Sequence, residues 1–275
     1  MSESHKAIFI TGAASGMGRE TALLFAEKGW FVGGYDVNEE GLKKLEGELG
    51  LERCIVRRLD VTDKDDFESA IAEFGEATNG RLDLLFNNAG IGHAGWFEDV
   101  PYEDAIRLIQ VNLIGVVNGI YSALPLLKKT PDSLCFTTSS SAATYGAPRL
   151  AIYAATKFAV KGLTEALSVE FERHSIRVAD VLPGLIDTAI LDTTPNHSDN
   201  VSFGVDVRKT PPTEGPFRLI PARAVAECVW EAYHSNRLHW YVPPEIEQLD
   251  RAKAAGVEAV RDQMRKRVES LIAKD

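Results

Sequence analysis

From Lys6 onward, short apolar runs alternate with longer stretches whose apolar side chains recur every three or four positions. "KAIFI" (6–10), "WFVGGYD" (30–36), "RCIVRRLDV" (53–61), "LDLLFNNAG" (82–90), "SLCFTTSS" (133–140) and "IRVADVLPG" (176–184) have the length and residue types of buried strands. Between them lie helical patterns: "RETALLFAEKG", closing at Gly29, then "NEEGLKKLEGELG" and "DKDDFESAIAEFGEATNG". Two longer helices are predicted, from about Tyr102 to Lys129 and from about Leu150 to Arg173. This alternation predicts βαβ units, right-handed crossovers and a parallel sheet. The expected fold is α/β, a single doubly wound domain over residues 1–275 with helices on both faces of the sheet.

The pattern lapses between Ala189 and Ile220, where Pro, Thr, Ser, Asp and Asn crowd together. A connection of that length inside a compact domain is expected to be a substrate loop, a mobile lid over the site. A helix "PARAVAECVWEAYHS" and a strand "LHWYVPP" follow, and residues 244–275 read as a charged helical extension. Val257, Val260, Met264, Val268 and Leu271 form an apolar stripe along it, which predicts burial against the body or a second subunit.

Composition narrows the function. A net charge of −10 argues against a nucleic-acid partner and against an anionic membrane surface. No apolar run reads as a transmembrane span or a secretory signal, so a cytoplasmic protein is expected. Cys54, Cys135 and Cys228 are too far apart for a disulfide framework and read as buried thiols. His174, His197, His234 and His239 are scattered, so no metal site is expected. His93 is read as a loop histidine that faces the substrate or has no role at all.

Two local features carry chemistry. "TGAASGMG" (11–18) sits between a strand and a helix, where glycine admits a close backbone approach and a helix N-terminus favours an anion. Gly12, Gly16 and Gly18 with Ser15 and Met17 are thus candidates to hold a pyrophosphate. Asp36, ending the second strand, is read as the acceptor for adenosine ribose hydroxyls or, equally, as a helix-start acid. In "AIYAATKFAV" (151–160), Tyr153 and Lys157 stand four positions apart on one helical face.

With these residues in view, the chain resembles the short-chain dehydrogenase/reductase family from about residue 6 to residue 190. The TGxxxGxG loop is Thr11, Gly12, Gly16 and Gly18, and the acid-hydrophobic pair after the third strand is Asp60 and Val61. NNAG is Asn87, Asn88, Ala89 and Gly90; the helix asparagine is Asn112; YxxxK is Tyr153 and Lys157. Ser140 lies thirteen residues before the tyrosine, and "PGLIDT" offers Pro183, Gly184, Ile186 and Thr188 to the nicotinamide. The resemblance implies a Rossmann-type fold, NAD as cofactor and hydride transfer to or from a secondary alcohol or ketone. It assigns Asn112, Ser140, Tyr153 and Lys157 to catalysis, the last two also to the cofactor, and the other motif residues except Thr11 and Asn87 to the cofactor.

In that reading Tyr153 exchanges the proton, and Lys157 with an oxidised nicotinamide lowers a phenol pKa that is ordinarily about 10. Ser140 steadies the substrate oxygen, while Ser139 and Ser141 are structural. Ala142, Ala143, Tyr145, Leu185 and parts of the 189–220 loop are expected as apolar walls for a hydrophobic or aromatic substrate. With Asp36 present, and Ser15 and Val37 where basic residues would welcome a phosphate, NAD is expected over NADP. The alternatives are a non-redox eliminase, a nucleotide sensor, or an epimerase of nucleotide sugars. The C-terminal extension leaves homodimer and homotetramer both open.

Overall fold

In the computed structural model, which describes residues 5–50, 52–198 and 211–272, the sheet grows outward from its first strand. The strands are β1 (Ala7–Thr11), β2 (Phe31–Asp36), β3 (Cys54–Arg58), β4 (Leu84–Asn87), β5 (Leu134–Thr138) and β6 (Arg177–Pro183). Two short ones, β7 (Ile186–Asp187) and β8 (Ile220–Pro221), pair with each other, and β9 (His239–Val242) closes the main sheet. The seven-stranded order is β3-β2-β1-β4-β5-β6-β9, parallel throughout. The order reverses between β1 and β4, and a crevice for a ligand forms at such a reversal in a doubly wound sheet.

Both faces of the sheet are buried, which is why its strands read as near-continuous apolar runs. Ile8 and Ile10 point into one core with Phe25, Trp30, Leu45 and Val229; Ala7 and Phe9 point into the other with Tyr35, Phe67, Phe74 and Leu127. The first core is covered by α1 (Gly16–Glu27), α2 (Glu39–Leu49) and α8 (Arg223–Tyr233). The second is covered by α3 (Lys64–Ala77), α5 (Gly115–Lys129) and α6 (Ala151–Glu170). Asn38 and Asp63 cap α2 and α3 by accepting from Gly41 N and Asp66 N.

Three expectations need adjusting. The third strand stops at Arg58, so Asp60 and Val61 lie in the turn that follows. The long helix has an interruption: α4 (Tyr102–Ile109) passes through a π-turn at Gln110–Ile114 before α5. A Cβ on Gly115 would stand 2.6 Å from Val61 Cγ2, so α5 begins hard against that turn. The stretch Tyr102–Lys129 is also long and apolar enough to cross a bilayer, which the sequence reading did not allow for. Half of its apolar window is buried, as in a helix packed on a sheet.

The segment after β7 is not structureless where it is described. Ile190–Thr193 forms a short helix, α7, and Asn196 bridges Ala94 in parallel. Of the expected lid, about Leu191 to Leu219, residues 199–210 lie outside the described residues. The extension consists of α9 (Ile246–Ala255) and α10 (Val257–Ile272). Asp250 on α9 joins it to the body, accepting from Lys161 Nζ at 2.5 Å and Tyr241 Oη at 2.9 Å. The three cysteines are free and buried, and burial pushes the Cys135 thiol up to about 12.

Candidate active site

The loops leaving β1, β2, β4, β5 and β6 open on one edge of the sheet. After Thr11 the chain turns through Gly12 at φ 70° and Gly16 at φ 52°, values that side chains rarely adopt. A Cβ on Gly18 would lie 2.1 Å from the Gly12 carbonyl oxygen, and one on Gly16 would lie 2.9 Å from Thr188 Cγ2. Ser15 is the exposed N-cap of α1, without a side-chain capping bond, and the first turn holds no acid. Met17 packs on the core beneath. The open N–H groups and the positive helix end suit a pyrophosphate.

Asp36 has partners of its own. Its Oδ2 accepts from Ala14 N at 3.1 Å and its Oδ1 from Asn38 N at 2.9 Å, tying the glycine loop to the end of β2. The cap of α2 is Asn38, so the helix-start role falls to that residue rather than to Asp36. Arg58 is the register partner of Asp36 on β3, a basic neighbour that the sequence reading overlooked. Asp60 Oδ1 accepts from Thr62 N and Oγ1 at 3.0 and 2.8 Å, and Val61 packs beneath Gly115.

Asn88 pins three strand ends together. Its Nδ2 donates to Thr11 O at 3.0 Å, and its Oδ1 accepts from Thr138 Oγ1 at 3.2 Å. Ala89 N donates to Thr11 Oγ1 at 3.0 Å. Pro183 ends β6, Gly184 N donates to Val242 O at 2.7 Å, and Ile186 and Thr188 are buried beyond it. The glycine cradle, the acid at the end of β2 and the segment at Thr188 converge on one crevice, and these residues fit a dinucleotide.

Beside this crevice lie the four candidate catalytic residues. Lys157 is buried, its Nζ donates to Thr138 O at 2.8 Å, and the ammonium sits 5.7 Å from the centre of the Tyr153 ring. A Cβ on Gly90 would stand 3.3 Å from Asn112 Oδ1 and 3.7 Å from Lys157 Nζ. Both ends of the Asn112 amide are committed to one residue: Oδ1 accepts from Ile91 N, and Nδ2 donates to Ile91 O, each at 2.9 Å. Ser139 Oγ donates to Lys157 O at 3.0 Å, which gives it a structural bond, whereas the Ser140 hydroxyl lies within reach of the Tyr153 phenol.

Burial governs the charges of this group. It raises the pKa of Tyr153, against the pull of the Ser140 hydroxyl, and it lowers that of Lys157 to about 8. The expectation that Lys157 draws down the phenol is therefore not met by the two residues alone, because desolvation disfavours the charged form of each. A small, mainly apolar cavity of about 10 Å³ reaches Tyr153, lined by Phe97, Val100, Leu108, Leu150 and Ile152 with His93 and Arg149 among them. The expected walls Ala142, Ala143, Tyr145 and Leu185 do not line it. Its walls come instead from the loop before α4, from α4 itself and from the first turn of α6, an assembly that no local pattern displays.

Residues 6–199 match the family model described as short chain dehydrogenase. "Probable oxidoreductase EphD" of Mycobacterium tuberculosis is 33% identical over 270 residues, covering 95% of this chain and 45% of the relative. The chain thus spans about half the length of that relative. A cyclohexanol dehydrogenase of Acinetobacter sp. is 34% identical over 191 residues, which are 68% of this chain and 76% of that protein. Among solved structures, a short chain dehydrogenase/reductase from Burkholderia phymatum in complex with NAD superposes with a TM-score of 0.81 at 27% identity. That match covers 94% of this chain and 96% of the other.

Proposed function

The chain belongs to the short-chain dehydrogenase/reductase family, and within it we propose an oxidoreductase that passes hydride between NAD(H) and a secondary alcohol or ketone of apolar or aromatic character. The observation that carries this reading is the convergence of Ser140, Tyr153 and Lys157 beside the glycine cradle, at the mouth of an apolar cavity. NAD(H), when bound, supplies or accepts the hydride and, in its oxidised form, brings a positive ring beside the phenol.

The side chains have separate tasks. Ser140 donates a hydrogen bond to the substrate oxygen as charge develops there. Tyr153 gives its phenolic proton to a nascent alkoxide, or takes the alcohol proton in the reverse direction. Lys157 holds a proton near neutral pH and stands ready to return it to Tyr153, with the Asn112 carbonyl steering water to the ammonium. Asp36 accepts from the ribose hydroxyls of NAD. Arg58 beside it is drawn towards Glu39, 3.9 Å away, rather than waiting for a 2′-phosphate. Exposed Tyr121 on α5 and Val169 on α6 favour a homo-oligomer, dimer or tetramer.

The test is Tyr153→Phe, which removes the proton donor and keeps the ring. Turnover of secondary alcohols with NAD⁺ is expected to fall at least about a hundredfold, while NADH fluorescence titration reports unchanged binding. Near-normal turnover in this variant excludes the mechanism.

A further inference from the structure

His93 and His197, 104 residues apart in the chain, meet through Nδ1 and Nε2 at 3.1 Å. Their rings are parallel to within 3°, with centroids 5.4 Å apart, about the longest separation that such a contact permits. The two nitrogens therefore face one another head on. This is the geometry of an N–H···N hydrogen bond and not of two lone pairs converging on an ion, although Asp104 would complete a three-ligand set. Asp104 Oδ2 lies 3.6 Å from the same His197 Nε2.

The carboxylate settles the direction of the bond. A nitrogen facing both a carboxylate and a second imidazole is best served by carrying the proton itself, so His197 Nε2–H donates to His93 Nδ1. A neutral imidazole with an accepting Nδ1 bears its proton on Nε2. Burial helps to keep His93 neutral, holding its pKa below the ordinary value against the attraction of Asp104; His197 and Arg107 also oppose its protonation. His93 Nε2 has no hydrogen-bond partner among the described residues, and His93 lines the cavity that reaches Tyr153. The backbone holds the pair in place: His93 precedes Ala94 and His197 follows Asn196, the two bridged residues. Ala94 N donates to Pro195 O, and His197 N to Ala94 O, both at 2.9 Å.

From this chain of Asp104, His197 and His93 we infer that His93 is a specificity residue, presenting a fixed Nε2–H donor, beside Arg149 in a mainly apolar wall, to a second oxygen of the substrate. The inference rests on the oxidoreductase reading and narrows its substrate class to alcohols or ketones that carry a further hydroxyl, carbonyl or ether oxygen. A wall that must bond such an oxygen discriminates against a substrate lacking it, since the donor is then left dry and unpaired.

The experiment compares cyclohexanol with its 1,2-, 1,3- and 1,4-diols as hydride donors to NAD⁺. At least one diol is expected to exceed cyclohexanol about tenfold or more in kcat/KM. His93→Phe should erase that advantage through KM, and His93→Gln, which keeps an N–H donor, should restore part of it. Loss of turnover on all four substrates alike in both variants, or no diol preference in the unmodified protein, overturns the inference. Failure to oxidise any alcohol overturns the oxidoreductase reading instead. Nitrogen-15 NMR of the histidine rings tests the inference without turnover: it requires the Nε2–H tautomer at His93, and an Nδ1–H tautomer there refutes it.

Discussion

Neighbouring side chains of one type are separated here by a single residue's place in the strand end. Ser139 points back to bond Lys157 O, while Ser140 turns towards Tyr153. Ser139→Ala is expected to cost about 1 kcal/mol of stability, the net worth of one buried hydrogen bond, with modest change in turnover. Ser140→Ala should cut kcat a hundredfold or so and also lose the bond that Ser140 Oγ accepts from Ala142 N at 3.1 Å, so steady-state rates on both variants, rather than denaturation curves, distinguish the two roles. Asp36 allows a second prediction at this scale. Its carboxylate should repel the extra phosphate of NADP, a preference of roughly a hundredfold, read as the ratio of kcat/KM values for the two cofactors. Asp36→Ala should shrink the ratio but also loosen the glycine loop, since Ala14 N loses its acceptor. Equal efficiency with both cofactors in the unmodified enzyme would mean that Arg58 overrides the acid.

Between elements, the polar contacts fix which strand and helix ends meet. The π-turn at Gln110–Ile114 allows Asn112 to reach the loop after β4 and to occupy both backbone groups of Ile91. At the far side of the sheet, His239 on β9 places Nδ1 2.7 Å from Asp180 on β6, with Asp180 fully buried. Burial by itself would lower the pKa of His239, but the Asp180 carboxylate outweighs it and holds the imidazole above 6.5; Glu165 adds to the effect and Lys161 opposes it. Burial likewise raises Asp180, so both groups bind their protons more tightly in the folded protein. A histidine raised in this way contributes its full stability below the unfolded pKa and loses it as pH climbs through the folded one. His239→Gln should therefore cost on the order of 2 kcal/mol near pH 6, the worth of a charge-assisted bond, and progressively less towards pH 9. Urea denaturation across that range gives the answer, and a pH-independent difference would show that the pair is not charged.

For the molecule as a whole, the extension beyond β9 is the part least explained by the sheet. Val257 is 44% exposed, and Val260, Met264 and Val268 are half-buried on a helix whose Glu258, Arg261, Asp262 and Arg265 are exposed. Deleting residues 255–275 is expected to lower the oligomeric mass in solution, since an apolar stripe of this kind is best satisfied by a second chain. An unchanged mass by light scattering, with unchanged stability, would remove the extension from the subunit contact. The sequence by itself determined whatever the backbone's own repeat can express. All seven strands of the main sheet, the glycine turn and the Tyr153–Lys157 pair were legible because short-range spacing converts directly into faces and neighbours. Tertiary structure decided the rest. The meeting of His93 with His197, of Asp180 with His239 and of Asp36 with Arg58 joins side chains carried by different strands and loops. So do the walls of the cavity. Such contacts depend on how the whole sheet twists and which helices its two faces bury, and no window along the chain contains that information.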